Sequence, residues 1–545
     1  MPDIAEWSLP AVLDTVTETV PDRDMLVFGT DRRSFRYVQD RTRRLGSFFV
    51  QHGFGVQRER AELDRWECGQ SRVAILLSNC SEYAEAMIGA FRARSVPYNV
   101  NYQYNSREVS GLLQLIGVDA VVYHRRFGRL LAESDLTGRL LLDVDDGSGV
   151  PPLEGSIAFE EAIATGSADA ALPTPSPDDV YLVCTGGTTG RPKGVVWRQA
   201  DIYVSGMGGT DNATPEVISK IATAGAGVWF AAPPMMHAAA QWTVFSGLHN
   251  GATVVLHDEA QPFDARTILE TAAREKVTLI SMVGDAYARP IVEELRSRTY
   301  DLSALQRIGI GGAFTNPALK EALLELLPHI TLVDGYGASE TGGMAFGAST
   351  KNAQTRTLMP SSGAVVLSAD RARLLQPGDD EMGWTARVGR IPLGYLDDRE
   401  GTERTFPIID GQRVSVPGDR ARLAYDGTII MLGRDSMVVN TGGEKVFVEE
   451  VEEVLGQHPD IQDVLVVGRP SERFGQEVVA VVQPRPGRDP RPAELREFVA
   501  QSLARFKAPR AVLICDQIHR HPSGKADYGW ARSVAAEAVS ATKQN

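Results

Sequence analysis

Val180-Tyr181-Leu182-Val183-Cys184-Thr185-Gly186-Gly187-Thr188-Thr189-Gly190-Arg191-Pro192-Lys193-Gly194 passes from five residues of strand character into a loop of Gly, Thr and one Lys. The glycines let the backbone turn sharply and approach a ligand closely. Successive N–H groups can then face one hollow, a nest for anionic oxygens. Thr185, Thr188 and Thr189 add hydroxyl donors, and Lys193 adds a full positive charge. The guest that suits such a loop is a phosphate chain, although Gly and Thr also make plain surface turns. It is not a Walker loop, in which a Ser or Thr directly after the lysine reaches the metal. Here Pro192 precedes Lys193 and Gly194 follows it.

Working outward, a chain of 545 residues is too long for one core and implies a few domains. Its 43% hydrophobic and 23% charged residues are ordinary for a globular protein. A net charge of −14 argues against a nucleic-acid binder, so any nucleotide site must be locally positive within an acidic protein. Cys68, Cys80, Cys184 and Cys515 are scattered, which excludes a disulfide scaffold or a zinc knot and fits a reducing compartment. Residues 1–19 carry Asp3, Glu6 and Asp14 with no basic leader, and no uncharged apolar run reaches membrane-spanning length. A cytoplasmic location is expected.

Along the chain, residues 9–52 read as helices around a short strand, with residues 35–37 leading into a helix to residue 49. Residues 58–70 are a run of mixed charge around Trp66 and Cys68, a solvated segment without chemistry of its own. Strands are expected at 73–77, 120–123, 251–257, 277–283 and 330–333, with a helix at 82–92. Asp264 caps a helix to residue 276, and Asn316 caps one that begins with Pro317 and buries Leu319, Leu323, Leu326 and Leu327. This alternation implies mostly parallel sheets with helices on both faces, and ligands at the carboxyl ends of the strands. From Gly433 the elements shorten: strand 437–440, helix 448–455, strands 464–467 and 478–482, and a helix 493–506. That tail makes a small α+β domain of about 110 residues.

The opening loop resembles the nucleotide signature of the adenylate-forming enzymes, the superfamily of acyl-CoA synthetases, luciferase and peptide-synthetase adenylation domains. It departs from the family form only at Gly186, where Ser is usual. Further segments follow in the family's order. Pro233-Pro234-Met235-Met236-His237 resembles the segment whose last side chain lines the acyl site, and Gly311-Gly312-Ala313 the turn that lies against adenine. Asp334 and Gly335 lead into Tyr336-Gly337-Ala338-Ser339-Glu340-Thr341, in which Tyr336 would stack on adenine, Ser339 would donate to phosphate and Glu340 would hold Mg²⁺. Pro417-Gly418-Asp419 supplies the family's ribose-binding aspartate, and Arg434 after Gly433 reaches the same ribose. At the hinge the chain reads Asp435-Ser436-Met437, without the charged pivot common in the family. Gly442-Gly443 resembles the turn that meets the coenzyme A arm, and Pro522-Ser523-Gly524-Lys525 the motif of the catalytic lysine.

The resemblance spans residues 9–528. It implies a large N-terminal domain (residues 1–433) of mixed, mainly parallel sheets flanked by helices, joined by a hinge to a small C-terminal α+β domain (residues 434–545) that is mobile. It also implies ATP, Mg²⁺ and coenzyme A, with Lys525, Glu340, Thr188 and His237 at the reacting atoms. Thr185, Gly186, Gly187, Thr188, Thr189, Gly190 and Lys193 would hold the phosphates, and Gly337 belongs to the same nucleotide set. Tyr98-Asn99-Val100-Asn101-Tyr102, Gly190-Arg191-Pro192-Lys193-Gly194-Val195-Val196-Trp197-Arg198 and Gly209-Thr210-Asp211 look like actinobacterial acyl-CoA synthetases that activate fatty or steroid side-chain acids. The acid site would lie along residues 237–242, 282–289 and 343–346, whose small residues leave room for a wide apolar acid. Transfer of the acyl group to a carrier protein, and a nucleotide binder without chemistry, are the competing readings. A homodimer and a loose membrane contact stay open.

Overall fold

The computed structural model describes residues 6–543 except 186–191, 226, 259–262, 314, 354, 356, 435–436, 442–443, 472–474, 504 and 521–524. Five sheets organise the chain. The largest has nine strands; its central six (Thr331–Ala338, Arg307–Gly311, Leu279–Met282, Val228–Ala231, Thr253–Leu256 and Asp24–Phe28) run parallel. Antiparallel strands close both edges. A second sheet of five strands, ordered Val96–Asn99, Arg72–Leu76, Ala120–His124, Leu140–Val144 and Ile157–Ala158, is wholly parallel. Its strand Ala120–His124 is buried at every position, as a continuous apolar run covered on both faces requires. Helices Phe35–Gln51 and Ser81–Arg92 pack together between the two sheets. Inside that layer the buried Glu85 accepts both arms of Arg41, at 2.9 Å each.

The expected caps are present. Asp264 accepts from the Arg266 amide, Asn316 from that of Ala318, and Pro317 opens its helix. Of the four leucines expected on that helix's buried face, Leu323 and Leu327 are buried, while Leu319 and Leu326 are half-buried against the same core. Residues 24–34 form two strands where one was expected, because Gly29, at φ 60°, turns the chain back on itself. Ser34 then caps a helix that already begins at Phe35.

Residues 364–434 form an antiparallel six-stranded sheet with no counterpart in the sequence reading. The tail from Val438 makes a fifth sheet, in which the long pair Ile461–Ser471 and Gly475–Pro484 is flanked by helices Val448–Gly456 and Tyr528–Lys543. The helix expected over residues 493–506 is Pro492–Ser502, followed by a separate single turn at Arg505–Lys507. Leu503 leaves the helix in extended conformation, six residues before Pro509. No helix among the described residues is long and apolar enough to cross a membrane.

One buried carboxyl in the tail makes stability pH-dependent. Glu452 accepts from the Val466 amide at 2.7 Å and from the Tyr528 hydroxyl at 3.0 Å. Burial pushes its pKa up to about 8. A folded value above the unfolded one gives stability that is complete below the unfolded pKa and is lost as pH rises through about 8. Glu452→Gln should therefore melt higher than the parent at pH 9, by roughly 4 °C, and lose that advantage at pH 5. Calorimetric melts at the two pH values check it.

Candidate active site

Strands Val180–Thr185 and Lys193–Arg198 pair antiparallel, with Thr185 opposite Lys193. The two strands are thus the arms of a hairpin. Gly186, Gly187, Thr188, Thr189 and Gly190 lie outside the described residues, as do Gly442, Gly443 and the hinge residues Asp435 and Ser436. Beside Lys193 the strand Gly394–Tyr395 adds to the same sheet, with Tyr395 opposite Val195. The Lys193 ammonium lies 4.1 Å from the centre of the Tyr395 ring and 3.7 Å from Asp398 Oδ2. The Tyr395 hydroxyl donates to Glu340 Oε1 at 2.9 Å. A phosphate-type lysine and a metal-type carboxylate, far apart in the chain, are therefore joined through one aromatic ring. Burial and then the neighbouring Glu340 charge hold the Tyr395 phenol well above its usual pKa, so it remains a donor.

The segment around Glu340 is held through its backbone. Trp197 Nε1 donates to the Ser339 carbonyl at 2.9 Å. The buried Arg387 donates from Nη1 to the carbonyls of Thr341 and Gly343, at 3.0 and 2.7 Å. Burial lowers the Arg387 pKa to about 10, which leaves it charged at neutral pH. Gly337 faces the Gly342 carbonyl so closely that a Cβ would stand 2.3 Å from its oxygen, so no other residue fits.

The expected nucleoside residues also converge. The Tyr336 hydroxyl donates to Asp419 Oδ2 at 2.5 Å and meets Thr385 Oγ1 at 3.0 Å. Asp419 pairs with Arg434 across neighbouring strands. Gly311 ends the strand next to Asp334 and Gly335 and pairs with Gly335; Gly312, with φ 75°, and Ala313 follow it. Asp334 makes an ion pair with Lys320 at 2.6 Å.

His237 precedes the helix Ala238–His249. Its Nε2 is buried, with no hydrogen-bond partner among the described residues. Burial, aided by the nearby charge of Lys525, lowers its pKa to about 4, so the ring is neutral at physiological pH. Lys525 is exposed, and its charge is felt at His237. The tail makes a second contact where Gly456 lies against the Asn316 side chain, with Nδ2 2.1 Å from where a Cβ would stand. Of the small residues expected to open the acid site, Ala240, Gly284 and Ala288 are buried, Ala238 and Ala286 half-buried and Ala239 exposed.

The sequence reading missed Tyr395, Asp398 and Arg387, and marked Trp197 only as part of a family-like segment. Tyr395 was findable as an aromatic beside a glycine. Arg387 carries no motif, because its role is to hold two carbonyls. The charged segment 58–70 bears on the same place: the Asp397 amide donates to the Trp66 carbonyl at 2.9 Å, and Arg399 lies over the Trp66 ring at 5.5 Å.

Comparison with known proteins matches residues 13–391 to the family described as AMP-binding enzyme and residues 450–525 to its C-terminal domain. The chain is 42% identical to a medium-chain acyl-CoA ligase, Mig, of Mycobacterium avium, over 97% of this chain and 98% of that one. It is 38% identical to a medium/long-chain-fatty-acid–CoA/3-oxocholest-4-en-26-oate–CoA ligase of Mycobacterium tuberculosis, over 97% and 95%. A 3-oxocholest-4-en-26-oate–CoA ligase of Rhodococcus rhodochrous is 36% identical, over 96% and 94%. The fold matches the crystal structure of the anthranilate CoA ligase AuaEII in complex with anthranoyl-AMP, with a TM-score of 0.83 over 98% of each chain at 19% identity.

Proposed function

The chain belongs to the AMP-binding enzyme family, and within it we propose that this protein activates a medium- or long-chain fatty acid or a steroid side-chain acid. It is an acid–thiol ligase of the AMP-forming kind, drawing on ATP and coenzyme A. The observation that carries the site assignment is the connected set Lys193, Tyr395 and Glu340 beside the hairpin. The choice of acid rests on the relatives' own substrates.

A carboxylate acylates poorly because its leaving group would be oxide. Attack of the carboxylate on the α-phosphorus of ATP expels pyrophosphate and leaves a mixed anhydride with AMP. The nucleophile is already ionised, so the protein needs no general base and supplies alignment and charge stabilisation. Lys193 and the hairpin hold the β- and γ-phosphates, Tyr336 and Asp419 hold the nucleoside, and Lys525 bridges carboxylate and α-phosphate as charge accumulates. His237, neutral and apolar-faced, borders the acid. The coenzyme A thiol then attacks the acyl carbon and AMP departs.

No cluster of three or more His, Cys, Asp or Glu able to hold a metal exists among the described residues. A single carboxylate fits Mg²⁺, which takes one or two carboxylates and completes its shell with substrate phosphates and water. Glu340 would hold the ion, which when bound offsets phosphate charge.

Residues 434–545 form the mobile domain in this reading, turning near Ser436 between the half-reactions to bring Gly442-Gly443 to the thiol. The proximity of Lys525 to His237 and of Gly456 to Asn316 supports an arrangement suited to adenylation. A cytoplasmic location follows from the supply of ATP and coenzyme A and accords with four free cysteines.

The test is thioester formation from ATP, coenzyme A and a panel of medium, long and steroid side-chain acids, read by mass spectrometry. Acyl-adenylate without thioester points to a carrier protein as acceptor, and no pyrophosphate exchange with any acid defeats the reading. Tyr395→Phe keeps the ring over Lys193 and removes the hydroxyl from Glu340. It should raise the Mg²⁺ concentration for half-maximal exchange at least about tenfold, the lower end of what one hydrogen bond to a charged group is worth. An unchanged Mg²⁺ requirement removes Tyr395 from the scheme.

A further inference from the structure

We propose that Asn99 is a positioning residue that locks the phosphate end of the active site to the acid end. Asn99 closes the strand Val96–Asn99 of the parallel five-stranded sheet and is 4% exposed. Its amide pairs with the backbone of Cys184 as a ladder rung would: Nδ2 donates to the Cys184 carbonyl at 2.8 Å, and the Cys184 amide donates to Oδ1 at 2.9 Å. The second hydrogen on Nδ2 goes to the Met236 carbonyl at 2.7 Å. Cys184 belongs to the three-stranded sheet of the hairpin, and Met236 lies just beyond the strand Val228–Ala231 of the nine-stranded sheet. One side chain therefore stands where three sheets meet.

The two tethered residues are not arbitrary. Thr185 follows Cys184, and His237 follows Met236. The first leads into the phosphate loop, and the second borders the acid. Adenylation needs the carboxylate aligned with the α-phosphorus, so the relative placement of these two ends sets the rate more than either does alone. Asn79 also binds the acid end: its Oδ1 accepts from the Met235 amide at 2.7 Å, and its Nδ2 donates to the Pro233 carbonyl at 3.2 Å. Asn suits position 99 because two carbonyls and one N–H must be met together by one short group. Asp would set a carboxylate against two carbonyl oxygens, and Ser can donate to only one of them.

The proposal rests on the adenylating reading of the site, and its test separates the two. In Asn99→Ser, backbone hydrogen exchange by mass spectrometry should speed up both in the peptide around Cys184 and in the peptide around Met236. In Asn79→Ser the peptide around Met236 should loosen. Acid-dependent ATP–pyrophosphate exchange at saturating substrates should fall at least tenfold in Asn99→Ser and further in Asn99→Asp. Thioester formation from supplied acyl-adenylate, in which acid and phosphate are already joined, should stay within about threefold. Loosening of one peptide alone, or an equal fall in both half-reactions that tracks the folded fraction, overturns the coupling. Absence of exchange in the parent protein with every acid counts against the adenylating reading, and the two-peptide pattern then still decides whether Asn99 joins the segments.

Discussion

Lys525→Ala lowers acid-dependent pyrophosphate exchange by about three orders of magnitude, the expected cost of removing one charged donor from a developing anionic centre. Thioester formation from a supplied acyl-adenylate stays within about threefold. The asymmetry follows from the chemistry. Attack by one anion on another is opposed by their charges until a cation spans them, whereas a thiol attacking a mixed anhydride meets no such opposition. The structure sets Lys525 close enough to His237 for its charge to lower the imidazole's pKa. Lys525→Arg tests position against charge: the longer planar group keeps the charge and alters its place, so partial recovery ranks charge first. Quenched-flow measurement of each half-reaction separates the outcomes, and equal losses in both sink the division of labour.

Glu340→Gln reduces exchange about a hundredfold, and excess Mg²⁺ restores part of it. Gln keeps the length of the side chain and can still accept from Tyr395, so the network Lys193–Tyr395–Glu340 retains its shape. What it loses is the negative charge that a hard divalent cation requires. Folding should change little, because the segment is held through its backbone by Trp197, Arg387 and the Ser415 hydroxyl, which donates to the Glu340 carbonyl. Titrating Mg²⁺ at fixed ATP measures the effect; a lower kcat with an unaltered Mg²⁺ requirement would falsify metal ligation by Glu340.

Much of this was legible in the chain. The parallel strands announce themselves because burial on both faces demands unbroken apolar runs, as at Ala120–His124. The caps Asp264 and Asn316 are legible because an N-cap is a local bargain between one side chain and the next turn. The antiparallel sheet of residues 364–434 was not, since its short strands lack both the long runs and the intervening helices. In the site, Glu340, Tyr336 and Asp419 were marked as motif residues, and a hydrogen bond joins two of them, Tyr336 and Asp419. Asp334 was marked by its place in the motif, but its carboxylate answers Lys320, a partner on a neighbouring helix that sequence order does not reveal. Tyr395 and Arg387 escaped for a similar reason: each acts across a sheet boundary, on atoms distant in sequence.

The tether from Trp66 to Asp397 changes how the segment 58–70 should be regarded. Asp397 sits at φ 52°, a left-handed conformation that a non-glycine residue adopts at a cost of roughly 1 kcal/mol or more. The Trp66 carbonyl is bonded to its amide, and two residues earlier in the chain Tyr395 faces Lys193 and Glu340. The segment thus acts as a scaffold strut against a left-handed bend two residues beyond Tyr395. Shortening it would be felt first as slower turnover in a protein that still folds, because the entropy of ordering the bend would move from folding into the catalytic cycle.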